Sequence, residues 1–205
     1  MRIAIIGGTF DPVHNGHLAA AQTVASAFQV DQVHFVPAFS PPHKKSDGMT
    51  SPFHRFAMVV LATMTVDRFR TSTIEVDALD KRYSVETLEL MTQAYPGSDL
   101  LFIVGTDMYQ EIETWRNFRT IFDLAHLVIV NRPGFPFRPD IAPAQTLKQN
   151  EAVALPRAKS VFYLPFVEQP ISSTEIRQDR KQGADVRPWL PPLVWSYIEK
   201  NRLYT

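Results

Sequence analysis

The chain has 205 residues, 45% of them hydrophobic and 20% charged, a composition that supports a packed core and excludes a disordered chain. It has no cysteine, which excludes disulfides, a thiolate nucleophile, a Cys-ligated zinc and an iron–sulfur cluster. Its 21 basic and 21 acidic residues cancel, so a surface that wraps nucleic acid is not expected, although a small anionic ligand is compatible with the balance.

In chain order the pattern predicts a strand at 3–6, helix 18–28, strand 33–36, helix 53–64, strand 71–76, helix 85–95 and strand 100–104. It continues with helix 117–124, strands 127–130 and 161–164, and helices 174–182 and 193–201. Several strands are almost continuously apolar, as parallel strands covered on both faces are. Val85, Leu88, Met91 and Ala94 recur at helical spacing and form one apolar stripe. Gly183, after Arg180 and Lys181, reads as a helix stop with cations in the last turn. Alternating βα units imply right-handed crossovers. The fold class is therefore α/β, a Rossmann-like doubly wound parallel sheet in one domain over 1–205 with a C-terminal helical portion.

No apolar run approaches the ~18–20 residues that span a bilayer. Residues 1–6 run straight into a glycine pair as a strand, which leaves no room for a signal peptide. A soluble, cytoplasmic protein is expected. Two stretches break the rhythm. Residues 38–51 hold Pro41, Pro42, His43, Lys44, Lys45 and Gly48 between a strand and a helix, a position where long loops carry binding groups. Residues 132–143 contain four prolines and are expected to be an irregular surface excursion, a candidate contact for a homo-oligomer.

The first βα junction reads Gly7-Gly8-Thr9-Phe10-Asp11-Pro12-Val13-His14-Asn15-Gly16-His17. It is neither Gly-x-Gly-x-x-Gly nor a P-loop, since no Lys-Ser or Lys-Thr pair follows. Two glycines at a strand end let a ligand approach the backbone. His14 and His17, three apart at a helix start with Gly16 between them, share one face. A helix N-terminus offers unpaired N–H groups and positive dipole to an anion. Imidazoles there can donate to phosphate, most strongly when protonated. His-x-x-His can also ligate zinc, but no cysteine and no third ligand accompany it. Later, Pro170 and Ile171 lead into Ser172, Ser173 and Thr174, any of which could cap the next helix, with Arg177 one turn inside. Arginine suits phosphate because its planar fork can bind two oxygens.

The first run resembles the Gly-Gly-Thr-Phe-Asp-Pro-x-His-x-Gly-His signature of bacterial nicotinate-nucleotide adenylyltransferases, in the His-x-Gly-His nucleotidyltransferase superfamily. Pro41-Pro42-His43-Lys44, Gly105-Thr106-Asp107, Trp115 and Ile171-Ser172-Ser173-Thr174-Glu175-Ile176-Arg177 resemble further family motifs in the same order. The resemblance implies strand order 3-2-1-4-5, with the ends of strands one and four at a shared crevice. It implies ATP contacts from Gly7, Gly8, Thr9, Phe10, His14, Gly16 and His17. Gly105, Asp107 (on a ribose hydroxyl), Ile171, Ser172, Ser173, Thr174 and Arg177 complete that set. It places the second substrate, nicotinate mononucleotide, against Thr9, Lys44, Tyr83, Ser84, Thr87 and Trp115, with Trp115 stacked on the pyridine ring.

The implied reaction is adenylyl transfer from ATP to the mononucleotide's phosphate, giving deamido-NAD and pyrophosphate for NAD biosynthesis. His14, His17, Lys44 and Arg177 would act in catalysis with Mg²⁺ carried by ATP rather than a protein metal site. A relative using nicotinamide mononucleotide shares these motifs, a pantetheine-phosphate adenylyltransferase usually has Thr where His14 stands, and a sensor without turnover is the non-enzyme alternative. The chain departs from the family before its third helix. Most members carry something like Gly-Pro-Ser-Tyr-Thr-x-Asp-Thr, where this chain has Asp80-Lys81-Arg82-Tyr83-Ser84-Val85-Glu86-Thr87. Arg82 flanks a helix and is expected to face solvent.

Overall fold

The computed structural model describes residues 1–40, 48–80, 82–167 and 171–205. The expected motif Pro41-Pro42-His43-Lys44 and residues Lys81 and Pro170 lie outside them. Seven strands form one sheet: β1 (Arg2–Gly8), β2 (Gln32–Pro37), β3 (Phe69–Thr71), β4 (Asp99–Gly105), β5 (His126–Val130), β6 (Ala144–Thr146) and β7 (Val161–Leu164). All neighbours are parallel, in the order β3-β2-β1-β4-β5-β7-β6. The chain works outward from β1 to β3, then returns to place β4 on the other side of β1. That reversal opens a crevice at the carboxyl ends of β1 and β4.

The helices are α1 (Asn15–Ala27), α2 (Pro52–Thr63), α3 (Ser84–Ala94), α4 (Thr106–Gln110), α5 (Phe118–Leu124), α6 (Ser173–Lys181) and α7 (Pro192–Lys200). β1 shows how the layers are specified. Ala4 and Ile6 enter one apolar cluster with α1, α2 and α7, while Ile3 and Ile5 enter the other with α3 and α5. The alternation is the two-residue period of a strand covered on both faces. Among the described residues no helix is long and apolar enough to cross a membrane.

The strand expected at 71–76 is corrected. Strand β3 ends at Thr71, and residues 74–79 form turns. Ser72 N still donates to Phe35 O at 2.8 Å, but the next donor in a parallel ladder would be the nitrogen of Pro37, which has no hydrogen. The β-branched run Thr73-Ile74-Glu75-Val76 therefore leaves the sheet. Among the elements that escaped the sequence pattern are α4, with only five residues, and β6, a three-residue edge strand directly after Pro143.

Candidate active site

A cavity of about 650 Å³ opens at the β1–β4 crevice, within the usual range for small-molecule sites. Its walls bring together both signature regions: Gly7, Gly8, Thr9, Phe10, His14, Gly16 and His17 from the first, and Ile171, Ser172, Ser173, Thr174 and Arg177 from the second. Gly105, Asp107, Tyr83, Ser84 and Trp115 complete the expected set that lines it.

His14 is the N-cap of α1 and His17 its third residue. Gly16 N donates to His14 Nδ1 and His14 N donates to His17 Nδ1, each at 3.2 Å. An Nδ1 that accepts a bond carries no proton, so both imidazoles are held as the tautomer protonated on Nε2. The rings lie 3.7 Å apart, with Phe10 edge-on to His17 at 4.9 Å. A Cβ on Gly8 would come within 3.2–3.4 Å of the Phe10 ring, so the second glycine is set by packing as well as by ligand access.

Burial, with Arg132 as the nearby cation, lowers the His14 pKa from 6.5 to about 4. An imidazole lowered in this way is uncharged at pH 7, so of the two donor forms His14 offers the neutral one. His34, in the core, is likewise lowered to about 4 by burial and by Arg70. Both rings hold protons less tightly folded than unfolded, so the unfolded chain binds the extra protons between about pH 6.5 and 4. Their contribution is whole above pH 6.5 and lost as the pH falls towards 4, up to about 3 kcal/mol each. Urea midpoints taken from pH 7.5 to 4.5 are expected to drop across that window, and His34→Gln to flatten the drop. A midpoint independent of pH there would refute the burial of these two rings.

Helix α6 begins with a capping box: Glu175 N donates to Ser172 Oγ at 3.2 Å, and Ser172 N donates to a Glu175 carboxylate oxygen at 2.8 Å. Ser172 is thus the cap among the three candidates. Ser173 Oγ instead donates to Pro12 O at 2.9 Å, and Arg177 Nη1 to Asp11 O at 2.7 Å. The idea that the whole Arg177 fork awaits an anion is corrected, since one of its nitrogens ties α6 to the first signature. Nη2 donates to Thr174 Oγ1 at 3.4 Å, and Arg177 and the start of α6 line the same cavity as the histidines.

Asp107 stands in the first turn of α4. Its Oδ2 is ion-paired with Arg132 Nη1, while Oδ1 is buried with no hydrogen-bond partner among the described residues. That oxygen suits a ligand hydroxyl. A Cβ on Gly105 would overlap it, which explains the glycine before Thr106. The 132–143 excursion is irregular and largely exposed, as expected, but it also reaches the site. Arg132 and Phe135 line the cavity, and half-buried Phe137 stacks on Tyr163 and Tyr109 at 4.3 and 5.6 Å.

At the other end of the cavity, Trp115 is buried, packs edge-on against Phe102 at 6.4 Å and exposes part of its surface to the cavity. Tyr83 caps α3, and the Arg116 guanidinium lies 4.9 Å from its ring centre. Thr87 does not reach the cavity and is corrected as a substrate contact. Its hydroxyl donates to buried Glu75 Oε1 at 2.6 Å, and Glu75 is the residue that lines the wall. Burial pushes the Glu75 carboxyl up, against the pull of Thr87 and Arg82. Arg82 also lines the cavity, with Nε buried and unpartnered among the described residues. Its expected solvent-facing orientation is corrected: the side chain lines the cavity, as Glu75 does.

Four residues at the site escaped sequence reasoning. Arg55 sits in the apolar run of α2, where a buried charge signals fixed partners. Glu75 gave the same signal between Ile74 and Val76. Arg132 follows β5 as Asp107 follows β4, at the sheet end where ligands bind. Tyr204 gave none.

A cytidylyltransferase-like family model matches residues 5–179. The chain is 39% identical over 203 residues to a probable nicotinate-nucleotide adenylyltransferase of Desulfitobacterium hafniense, covering 99% of this chain and 95% of that one. It is 41% identical over 199 residues to one of Frankia alni, covering 97% and 98%. This chain belongs to the nicotinate-nucleotide adenylyltransferase family. A solved nicotinic acid mononucleotide adenylyltransferase of Plasmodium falciparum, complexed with NaAD, shares the fold at a TM-score of 0.76 and 19% identity over 99% of this chain and 97% of that one. Within that family pattern, Arg82 marks the segment where this adenylyltransferase departs from the expected motif, and it lines the cavity.

Proposed function

We propose that this chain transfers the adenylyl group of ATP to nicotinate mononucleotide, forming deamido-NAD and pyrophosphate in NAD biosynthesis. One observation carries the reading: two adjacent, tilted Nε2–H imidazoles at the start of α1 and the capped start of α6 line one cavity. A phosphate oxygen of the mononucleotide attacks the α-phosphorus of ATP, and the bond to the β-phosphate oxygen breaks as pyrophosphate leaves. The attacking oxygen is already anionic, so no general base is needed. The work is positioning and charge stabilisation.

In this reading Gly7, Gly8, Thr9, Phe10 and Gly16 shape the approach to the phosphates, and His14 and His17 donate to the transferring group. Ser172, Ser173, Thr174 and Arg177 border the leaving phosphates beside Ile171. Gly105 and Asp107 hold the ATP ribose through Oδ1. Thr9, Tyr83, Ser84 and Trp115 border the mononucleotide, and Lys44 takes its charge-offsetting role from the family motif alone. Mg²⁺ arriving on ATP offsets phosphate charge, an ion that keeps most of its waters. Asp11, the acid of the first signature, accepts from Tyr204 and Thr50 on its two oxygens, which fits an ion held by phosphate and water. We take residues 1–205 as one nucleotidyltransferase unit working in the cytoplasm, where ATP is at hand.

The test is pyrophosphate release with ATP and either the acid or the amide mononucleotide, in wild type and Arg82→Ala. Wild type is expected to prefer the acid. Loss of Arg82 is expected to lower kcat/KM for the acid by roughly ten- to a hundredfold, the worth of one charge-assisted bond. Preference for the amide would overturn the substrate, and no release with either would favour the sensor.

A further inference from the structure

The bend between β1 and α1 contains a residue in a conformation that L side chains rarely adopt. Phe10 has φ +50, in the left-handed region. Backbone of this kind persists only where its surroundings over-determine it. Here the surroundings are a set of grips on successive residues. Arg55 Nη1 donates to Thr9 O at 2.7 Å, Arg177 Nη1 to Asp11 O at 2.7 Å, and Ser173 Oγ to Pro12 O at 2.9 Å.

The Asp11 side chain is held as well. Thr50 N donates to Oδ2 at 3.3 Å, and the hydroxyl of Tyr204 donates to Oδ1 at 2.7 Å. Tyr204 comes from the segment after α7, and that segment is itself held in unusual backbone: Arg202 has φ +51 and Tyr204 φ +61. Arg180 Nε donates to Leu203 O at 3.1 Å, and Leu203 N donates to Ile198 O at 3.0 Å, which pins the turn that presents the ring. Burial beside Asp11 pushes the Tyr204 hydroxyl up, so it stays a donor.

A segment bent into two left-handed residues thus delivers one hydroxyl to the carboxylate next to the left-handed Phe10. Three residues further on, His14 caps α1. We propose that Tyr204 is a positioning residue for adenylyl transfer, fixing through Asp11 the bend that sets the His14 and His17 imidazoles at the cavity. The inference deepens the proposed function and rests on it for its kinetic reading.

Tyr204→Phe keeps the ring and removes the bond. It is expected to lower kcat five- to twentyfold while leaving KM for ATP and the mononucleotide within twofold, with circular dichroism unchanged. At least the same loss is expected in Asp11→Ala, which removes the acceptor, and the double variant should be no slower than Asp11→Ala alone, because Tyr204 acts through that carboxylate. Wild-type kcat in Tyr204→Phe, or losses that multiply in the double variant, would overturn the proposal. Arg180→Met loosens the pinned turn without touching either partner, and should lower kcat two- to fivefold if Tyr204→Phe does not fold; no loss there would overturn the proposal equally.

Amide hydrogen exchange separates the two readings. The His14 and Gly16 N–H groups, which bond to imidazole nitrogens, should exchange at least tenfold faster in Tyr204→Phe whether or not the wild type releases pyrophosphate. Unchanged exchange refutes the positioning role, whereas absent turnover in wild type refutes only the proposed reaction.

Discussion

Replacing His17 by alanine is expected to lower kcat by roughly 10²–10³, the usual loss for one transition-state donor. The ring is held by the His14 N–H at Nδ1 and by edge contact with Phe10, so its Nε2–H is aimed before substrate arrives. A donor fixed in advance needs no reorganisation when charge moves onto the transferring phosphoryl group, which is where its value lies. KM for ATP should change far less than kcat, because the bond strengthens mainly in the transition state. The measurement is initial-rate pyrophosphate release on protein whose circular dichroism matches wild type. Turnover within threefold of wild type would remove the histidine pair from the mechanism.

Arg55→Met should be the most destabilising single change at the site, by roughly 3–5 kcal/mol. Arg55 is fully buried and donates to three carbonyls: Thr9 O at 2.7 Å, Phe39 O at 2.9 Å and Thr50 O at 3.0 Å. Methionine fills much of the stem's volume but takes the arginine donor from three partly buried carbonyls at once, and each such loss costs about 1–3 kcal/mol. Burial disfavours the charged guanidinium, while the Asp11 carboxylate supports it. Urea unfolding of the purified variant measures the effect, and a loss below about 1 kcal/mol would mean that the carbonyls find other partners.

The sheet was legible because most of its long strands are nearly continuous apolar runs, and the starts of α1 and α6 were legible because histidine and serine mark them. Strand β3 was misread because β-branched residues favour a strand, whereas the missing N–H of Pro37, 34 residues earlier, decides where pairing stops. The site was legible where its residues are contiguous, at 7–17 and 171–177. It was illegible where a side chain works from far away. Nothing local to Tyr204 says that its hydroxyl meets Asp11, and nothing local to Thr87 says that it serves Glu75 and not the cavity. Arg82 was misassigned for the same reason: it shares the cavity wall with Glu75, seven residues back across a turn that the strand prediction had straightened.

The bonds from Ser173 to Pro12 and from Arg177 to Asp11 join positions 161 and 166 residues apart. Contacts of that sequence separation form late, after most of the intervening chain has found its place. A growing chain would therefore acquire its sheet, its first glycines and its first helix well before it could hold a nucleotide. Folding intermediates that look native by helix content are expected to lack affinity for ATP, and this binding should appear as a separate, final event when the α6 end docks on the first turn. On the proposed reaction, capture of ATP would report that the two signature regions of the chain have met.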